Sequence, residues 1–256
     1  MTVCTVSAVG VQNDVLVKSD FIDPPISARP GAFWPWLNGD VSLERITYEL
    51  EQMKEKGMSG ADIWDVRGIA DPDKTIPAGP EFLGPESLKA IAHAIKEADR
   101  LGLHLGLLNS SGWNAGGTWT TPDISGMGLF HSEFTVEGPK QIDLVLPFPE
   151  VPKNSPKDKN GKPEIHKEIS VLAVPQKDNK QIDSISDVLD LSKYMDSKGK
   201  LTWDVPEGKW TIIRMVMSNT GYQLVVPSPN SGGPIIDFLN PDASRKHFGL
   251  DLEKLE

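Results

Sequence analysis

Between residues 33 and 108 the apolar positions alternate between two spacings. Phe33-Trp-Pro-Trp-Leu37 is a short apolar run that reads as a buried strand, with Pro35 demanding an edge, a bulge or a strand end. Asn38-Gly39-Asp40 then reads as a turn. Ser42 is positioned to cap a helix over Leu43–Lys56, whose Ile46, Leu50 and Met53 fall on one face, and Gly57 stops it. The same order repeats. Ala61–Val66 predicts a second strand, followed by a polar, proline-broken loop to Gly84. Pro85 opens a helix with Leu88, Ile91, Ala92, Ile95, Ala98 and Leu101 at helical spacing, and Leu103–Leu108 predicts a third strand. Strand, helix, strand, helix, strand with short links predicts parallel βα units with right-handed crossovers. Ahead of them, residues 1–30 read as an irregular or weakly stranded lead-in closed by Pro24, Pro25 and Pro30.

From about Ser125 the pattern changes to short strand-like runs: Leu129–Val136, Gln141–Leu146, Ile169–Val174, Lys200–Val205, Trp210–Met217 and Tyr222–Val226. Turn residues separate them, and Asp187–Leu191 reads as a single helical turn. Such spacing suggests a small β-sandwich. Near Pro227 the βα pattern returns, with Ile235-Ile-Asp-Phe238 as a strand, Asn240 as N-cap and Pro241 at the first helical position. The expected organisation is α/β. Residues 1–124 form the first part of a (β/α) barrel, 125–226 an inserted β-sandwich-like module, and 227–256 a return to the barrel. About four βα units make this either an open sheet or a partial (β/α)8 TIM-type barrel, because a full barrel takes ~250 residues without insertions.

Composition removes several classes. The net charge of −10 leaves no basic face to neutralise phosphates, which argues against nucleic acid. Cys4 is the single cysteine, so no internal disulfide forms. Residues 1–20 lack a basic n-region, and Asp14 and Lys18 interrupt their apolar positions, so no signal peptide is visible and the compartment is left open. No apolar run approaches the ~20 residues of a membrane span.

Candidate chemistry gathers at predicted strand ends, where ligands collect in parallel βα folds. The loop within Leu105–Trp119 combines glycines, two indoles and neutral polar groups. Trp113 and Trp119 offer flat faces, and Asn109, Ser110, Ser111 and Asn114 offer hydrogen bonds, which suits a sugar better than a phosphate. Alternatively, its tryptophans plug the core beneath. The same rule selects Trp36, Asn38 and Asp40, then Asp62, Asp65 and Arg67, and finally Asp237 and Asn240. Asp65 and Asp237 have a plainer reading as turn caps or as partners of Arg67 or Arg29. His104 reads as a core or barrel-lining residue. The five histidines are dispersed without zinc spacing, and dinucleotide, Walker and esterase-elbow signatures are missing. The glutamates fall on helix surfaces, so no pair of carboxyl groups suited to glycosidic cleavage stands out.

Three stretches carry a resemblance. Ser27–Ser42 with the following ITYELEQMKEKGMSGADIWDV run, Leu101–Pro122, and Leu201–Arg214 together resemble glycoside hydrolase family 106, the α-L-rhamnosidases. The resemblance implies a (β/α)8 barrel interrupted by β-rich domains, acting with inversion on terminal α-linked rhamnose, and a calcium ion that helps hold the sugar. It carries Trp36, Asn38, Asp65, Asn109, Trp113 and Asp237 over as sugar or ion contacts, with His104 facing the pocket. The acid and base glutamates of the family come from later barrel strands. The expectation is therefore an N-terminal portion of such a hydrolase, inactive alone, whose partner is a rhamnose-containing glycan and whose open barrel edge invites self-association. The alternative is a non-catalytic carbohydrate-binding protein or a vestigial half-barrel.

Overall fold

The computed structural model describes residues 18–176 and 184–255. Cys4 and most of the lead-in lie outside these residues. The chain divides into two compact units. One comprises residues up to Pro35, Val41–Trp64 and Lys89–Leu107, and the other Trp36–Asp40, Asp65–Leu88 and Leu108 onward.

The first unit carries most of the βα elements, while the last residues of β1 and β2 and the first turn of α3 fall in the second. After a five-residue helix α1 (Lys18–Ile22) come β1 (Gly31–Leu37), α2 (Leu43–Glu55), β2 (Gly60–Val66), α3 (Pro85–Leu101) and β3 (His104–Leu107). The strands form one sheet in the order β1-β2-β3. β2 and β3 pair in parallel, with Gly60 opposite His104 and Ile63 opposite Leu107. Ser42 caps α2 as expected, its hydroxyl accepting from the Arg45 amide at 3.2 Å. Ile46 and Leu50 are buried, and Trp34 donates its indole N–H to Glu49 at 2.6 Å. α2 and α3 are joined by Thr47 and His93 at 2.8 Å and by Arg100 and Glu51 at 2.7 Å. The buried stripe of α3 differs from the expected one. It runs through Ala90, Ile91, Ala94 and Ala98, while Ile95 is 53% exposed. The stripe keeps the i, i+3/i+4 spacing but uses small alanines, and Ala92 and Ile95 face outward.

In the second unit, β4 (Met127–Val145), β5 (His166–Pro175), β6 (Leu189–Asp190) and β7 (Lys200–Asn219) make an antiparallel sheet in the order β4-β7-β5-β6. Two expected pairs of short strands are continuous: β4 unites Leu129–Val136 with Gln141–Leu146, and β7 unites Lys200–Val205 with Trp210–Met217. Each is offset only by the irregularity near Gly138. One face buries Val136, Ile142, Leu146, Val171, Leu201, Trp203 and Ile212. Trp203 and Trp210 meet edge to face at 5.7 Å. Arg214 is buried within this unit, donating to Glu168 at 2.5 Å and to the Leu146 carbonyl at 2.9 Å.

Three readings from sequence are corrected. Ile235–Phe238 is not a parallel strand, since Ile235 and Ile236 make isolated antiparallel bridges to Gly116 and Ser125. A Cβ on Gly116 would stand 2.2 Å from the Pro234 carbonyl oxygen, so only glycine lets these segments meet side on. Tyr222–Val226 forms no strand: Gln223 makes only an isolated antiparallel bridge to Pro234, and Val226 takes a left-handed φ of 50°. Asp187–Leu191 is not a helical turn: a 3-10 turn at Ile185–Asp187 ends before β6, which pairs Leu189 and Asp190 with β5. The helix after Asn240 forms as expected, as α4 (Pro241–Leu255). Among the described residues no helix is long and apolar enough to cross a membrane.

Candidate functional site

Asn38 organises the loops of the second unit. It sits just past the end of β1, buried, with a left-handed φ of 57° that asparagine tolerates better than most residues. Its amide donates to the Val66 carbonyl at 2.7 Å, and its carbonyl accepts from the Gly79 amide at 2.9 Å. Its side chain accepts from the Gly68 amide at 2.9 Å and donates to the Ile76 carbonyl at 3.0 Å. One residue thus holds both ends of the loop that follows β2. Gly39 and Gly79 make this crossing sterically feasible, because a Cβ on Gly79 would lie 2.2 Å from the Gly39 carbonyl oxygen.

Asp65 anchors a second knot. It is 2% exposed, and its carboxylate accepts a short hydrogen bond from the Ser111 hydroxyl. Ser111 in turn accepts from the Ser228 amide at 2.8 Å, and the Asp65 carbonyl accepts from the Gly112 amide at 2.8 Å. Burial raises the Asp65 pKa, opposed by the Ser111 and Ser228 hydroxyls. Nearby, the Arg67 and Trp113 amides donate to the carbonyls of Val226 and Val225 at 3.0 and 3.1 Å. Three loops that are distant in sequence are therefore tied together by buried polar groups.

Beside them lies a pocket of about 700 Å³ lined by Asn38, Arg67, Ile69, Lys74, Ile76 and Pro229, among others. Asp71, also on its wall, turns its carboxylate onto its own loop, accepting from the Thr75 amide at 2.7 Å, the Thr75 hydroxyl at 2.8 Å and the Ile76 amide at 2.9 Å. These donors, led by the Ile76 amide, hold its pKa below the usual carboxylate range.

The expected site residues take different places. Asn38, Asp65 and the Trp113 loop converge on this cluster. Trp113 is 60% exposed and Asn109 half-buried, while Trp36 is buried at the end of β1. Asp237 is half-buried and spends one carboxylate oxygen on the Leu239 amide, 3.1 Å away, in its own turn. His104 opens β3 in the first unit and is exposed, not core. Ser228, Lys74 and Asp71 were not singled out from sequence. The Asp71-Pro-Asp-Lys-Thr75 run carries a turn signal, since an aspartate caps amides a few residues on. Nothing marked Ser228 among its neighbouring serines. Trp119 packs instead on α4, donating to Nδ1 of the buried His247 at 3.2 Å and stacking on its ring. Among the described residues no group of three or more His, Cys, Asp or Glu side chains gathers to hold a metal ion.

Comparison with known proteins gives this geometry a context. The family model of glycoside hydrolase family 106, alpha-L-rhamnosidase, matches residues 22–164 and 151–256. A Formosa agariphila protein that carries the name of a beta-glucuronidase is 30% identical over 247 residues, covering 84% of this chain and 20% of that protein. The solved rhamnosidase from Novosphingobium sp. PP1Y superposes with a TM-score of 0.69 at 18% identity, over 93% of this chain and 38% of that one, a likeness of fold. The chain thus spans about a fifth of the curated relative it matches. With a family model matching nearly the whole of residues 22–256, this chain belongs to glycoside hydrolase family 106, the α-L-rhamnosidase family.

Proposed function

We propose that this chain forms the sugar-holding part of a glycoside hydrolase that acts on terminal α-L-rhamnosyl linkages with inversion. The observation that carries this reading is the convergence of the loops after β1, β2 and β3 on Asn38, Asp65 and Ser111, within a chain of this family. In this reading the three-stranded sheet is part of a (β/α)8 barrel covering residues 1–124 and 227–256. The antiparallel sheet is one face of a β-sandwich-like insertion at 125–226. Trp36, Asn109, Trp113 and Asp237 stand as further candidate contacts, with the exposed Trp113 face the best suited to stack on a sugar ring. Calcium enters only through the family, and no step here runs through it.

Inversion requires one carboxyl group to protonate the leaving oxygen and another, ~6.5–9.5 Å away, to activate water. Asp65 is buried and bonded to Ser111, and Asp71 is consumed by its own turn. The pocket therefore binds and does not cleave by itself. That observation also favours a second reading, a carbohydrate-binding protein without catalysis.

The test combines two measurements on the purified 256-residue chain. Methyl α-L-rhamnoside followed by saturation-transfer NMR is expected to bind, and a chromogenic α-L-rhamnoside is expected to stay intact. Hydrolysis that disappears in Asp65→Asn would show the chain supplying its own acid and would overturn the binding-only account. Absence of sugar binding in a sample folded by circular dichroism would sink the proposal.

A further inference from the structure

The pocket carries positive charge that its own loops do not use. Arg67 and Lys74 are its cations, and among the described residues neither takes part in an ion pair. The carboxylate on the same wall, Asp71, is committed to Thr75 and Ile76. Arg67 is held at its base, with its amide on the Val226 carbonyl and its Nε donating to the Pro227 carbonyl at 3.1 Å. Those contacts orient the guanidinium while leaving its two terminal nitrogens for a ligand. The chain as a whole has a net charge of −10, so a cationic pocket does not follow from composition. Ile69, Ile76 and Pro229 add apolar wall to the same space.

We propose that this pocket binds a sugar bearing an anionic substituent, a carboxylate or a sulfate ester, gripped by Arg67 and Lys74 with the ring against Ile76 and Pro229. The proposal rests on the carbohydrate reading above and sharpens it to acidic glycans. A planar guanidinium matches either oxyanion with paired hydrogen bonds, and the lysine supplies a point charge. Both side chains are exposed, so a neutral sugar would leave their charge to water, whereas an oxyanion would take it up directly.

The test is calorimetric titration of the folded chain with three probes: a rhamnosyl-galacturonate disaccharide, its carboxyl-reduced rhamnosyl-galactose counterpart, and a methyl rhamnoside carrying one sulfate ester. At least one anionic probe is expected to bind about tenfold more tightly than the neutral one, with the gap narrowing as salt is raised. The tighter of the two anionic probes identifies which substituent is read. In Arg67→Gln and in Lys74→Gln the acidic-to-neutral ratio is expected to fall towards one, with Arg67→Lys intermediate. Equal binding of acidic and neutral probes by the unaltered chain overturns this proposal and leaves the carbohydrate reading standing. A ratio unchanged in both glutamine variants overturns it as well. Binding of none of the probes overturns both.

Discussion

In the β4–β7 sheet the buried positions are mostly apolar, with Arg214, Ser218 and Asn219 of β7 the polar exceptions. Leu201, Trp203, Val205 and Ile212 alternate with outward residues along β7, and the backbone groups pair with β4 and β5. In the loops around the pocket the buried positions include Asn38, Asp65, Ser111, Ser228 and Ser231, and side chains satisfy backbone groups that no ladder reaches. Burial is enforced in both regions, but by different forces. Apolar burial is non-directional and accepts a neighbouring shape, whereas a buried hydrogen bond needs the right atom in the right place. The sheet is therefore a scaffold that can drift in sequence, and the loops are a fitted constellation.

The largest effect is expected in the sheet. Leu201→Ala removes a side chain that is 0% exposed and should lower unfolding free energy by about 2–5 kcal/mol, measured by urea denaturation. A loss as small as a surface substitution would show the sheet core to be loosely packed. Next comes Asn38→Ala, which strands the half-buried Gly68 amide and Ile76 carbonyl and puts alanine at a positive φ that asparagine tolerates better. It should cost about 1–3 kcal/mol and make the 68–79 loop the first site cut in limited proteolysis. Retained resistance there would break the claim that polar groups, not packing, hold the loop.

The smallest effect is a pH slope. Burial raises the Asp65 pKa above its unfolded value, so its stabilising contribution is present with the carboxyl protonated and is lost as pH rises through the folded value. Stability should fall from the usual carboxylate range upward, and Asp65→Asn should flatten that stretch of the melting-temperature profile. An identical slope in the variant would assign the effect to other groups.

The same contrast explains what was legible in the sequence. Helical spacing located α2 and α3, and Ser42 and Pro85 marked their starts, because periodicity and caps are local properties. The stripe of α3 was read one position out, since Ile95 is more apolar than Ala94 although the packing selects the smaller residue. Ile235–Phe238 has strand composition, yet its partners Gly116 and Ser125 are more than a hundred residues away, and no local pattern reveals a bridge of that kind. Strand ends led to Asn38, Asp65 and the Trp113 loop, which the structure brings together. They did not lead to Ser228, whose role exists only once Ser111 is beside it, nor to Lys74, which is far along a loop from its strand.

The crossing of Gly39 and Gly79, with Asn38 bonded to Gly68 and Ile76, has an evolutionary consequence. A loop clamped at its base can be rewritten between the clamps while the strands it joins keep their register. Arg67 and Lys74 lie at or within that stretch, so relatives that keep the two glycines and the asparagine are free to exchange the charged positions. Glycan preference, if it resides in this loop, could then be varied by substitution on a fixed base, and libraries confined to residues 69–78 are where an engineer would look for it.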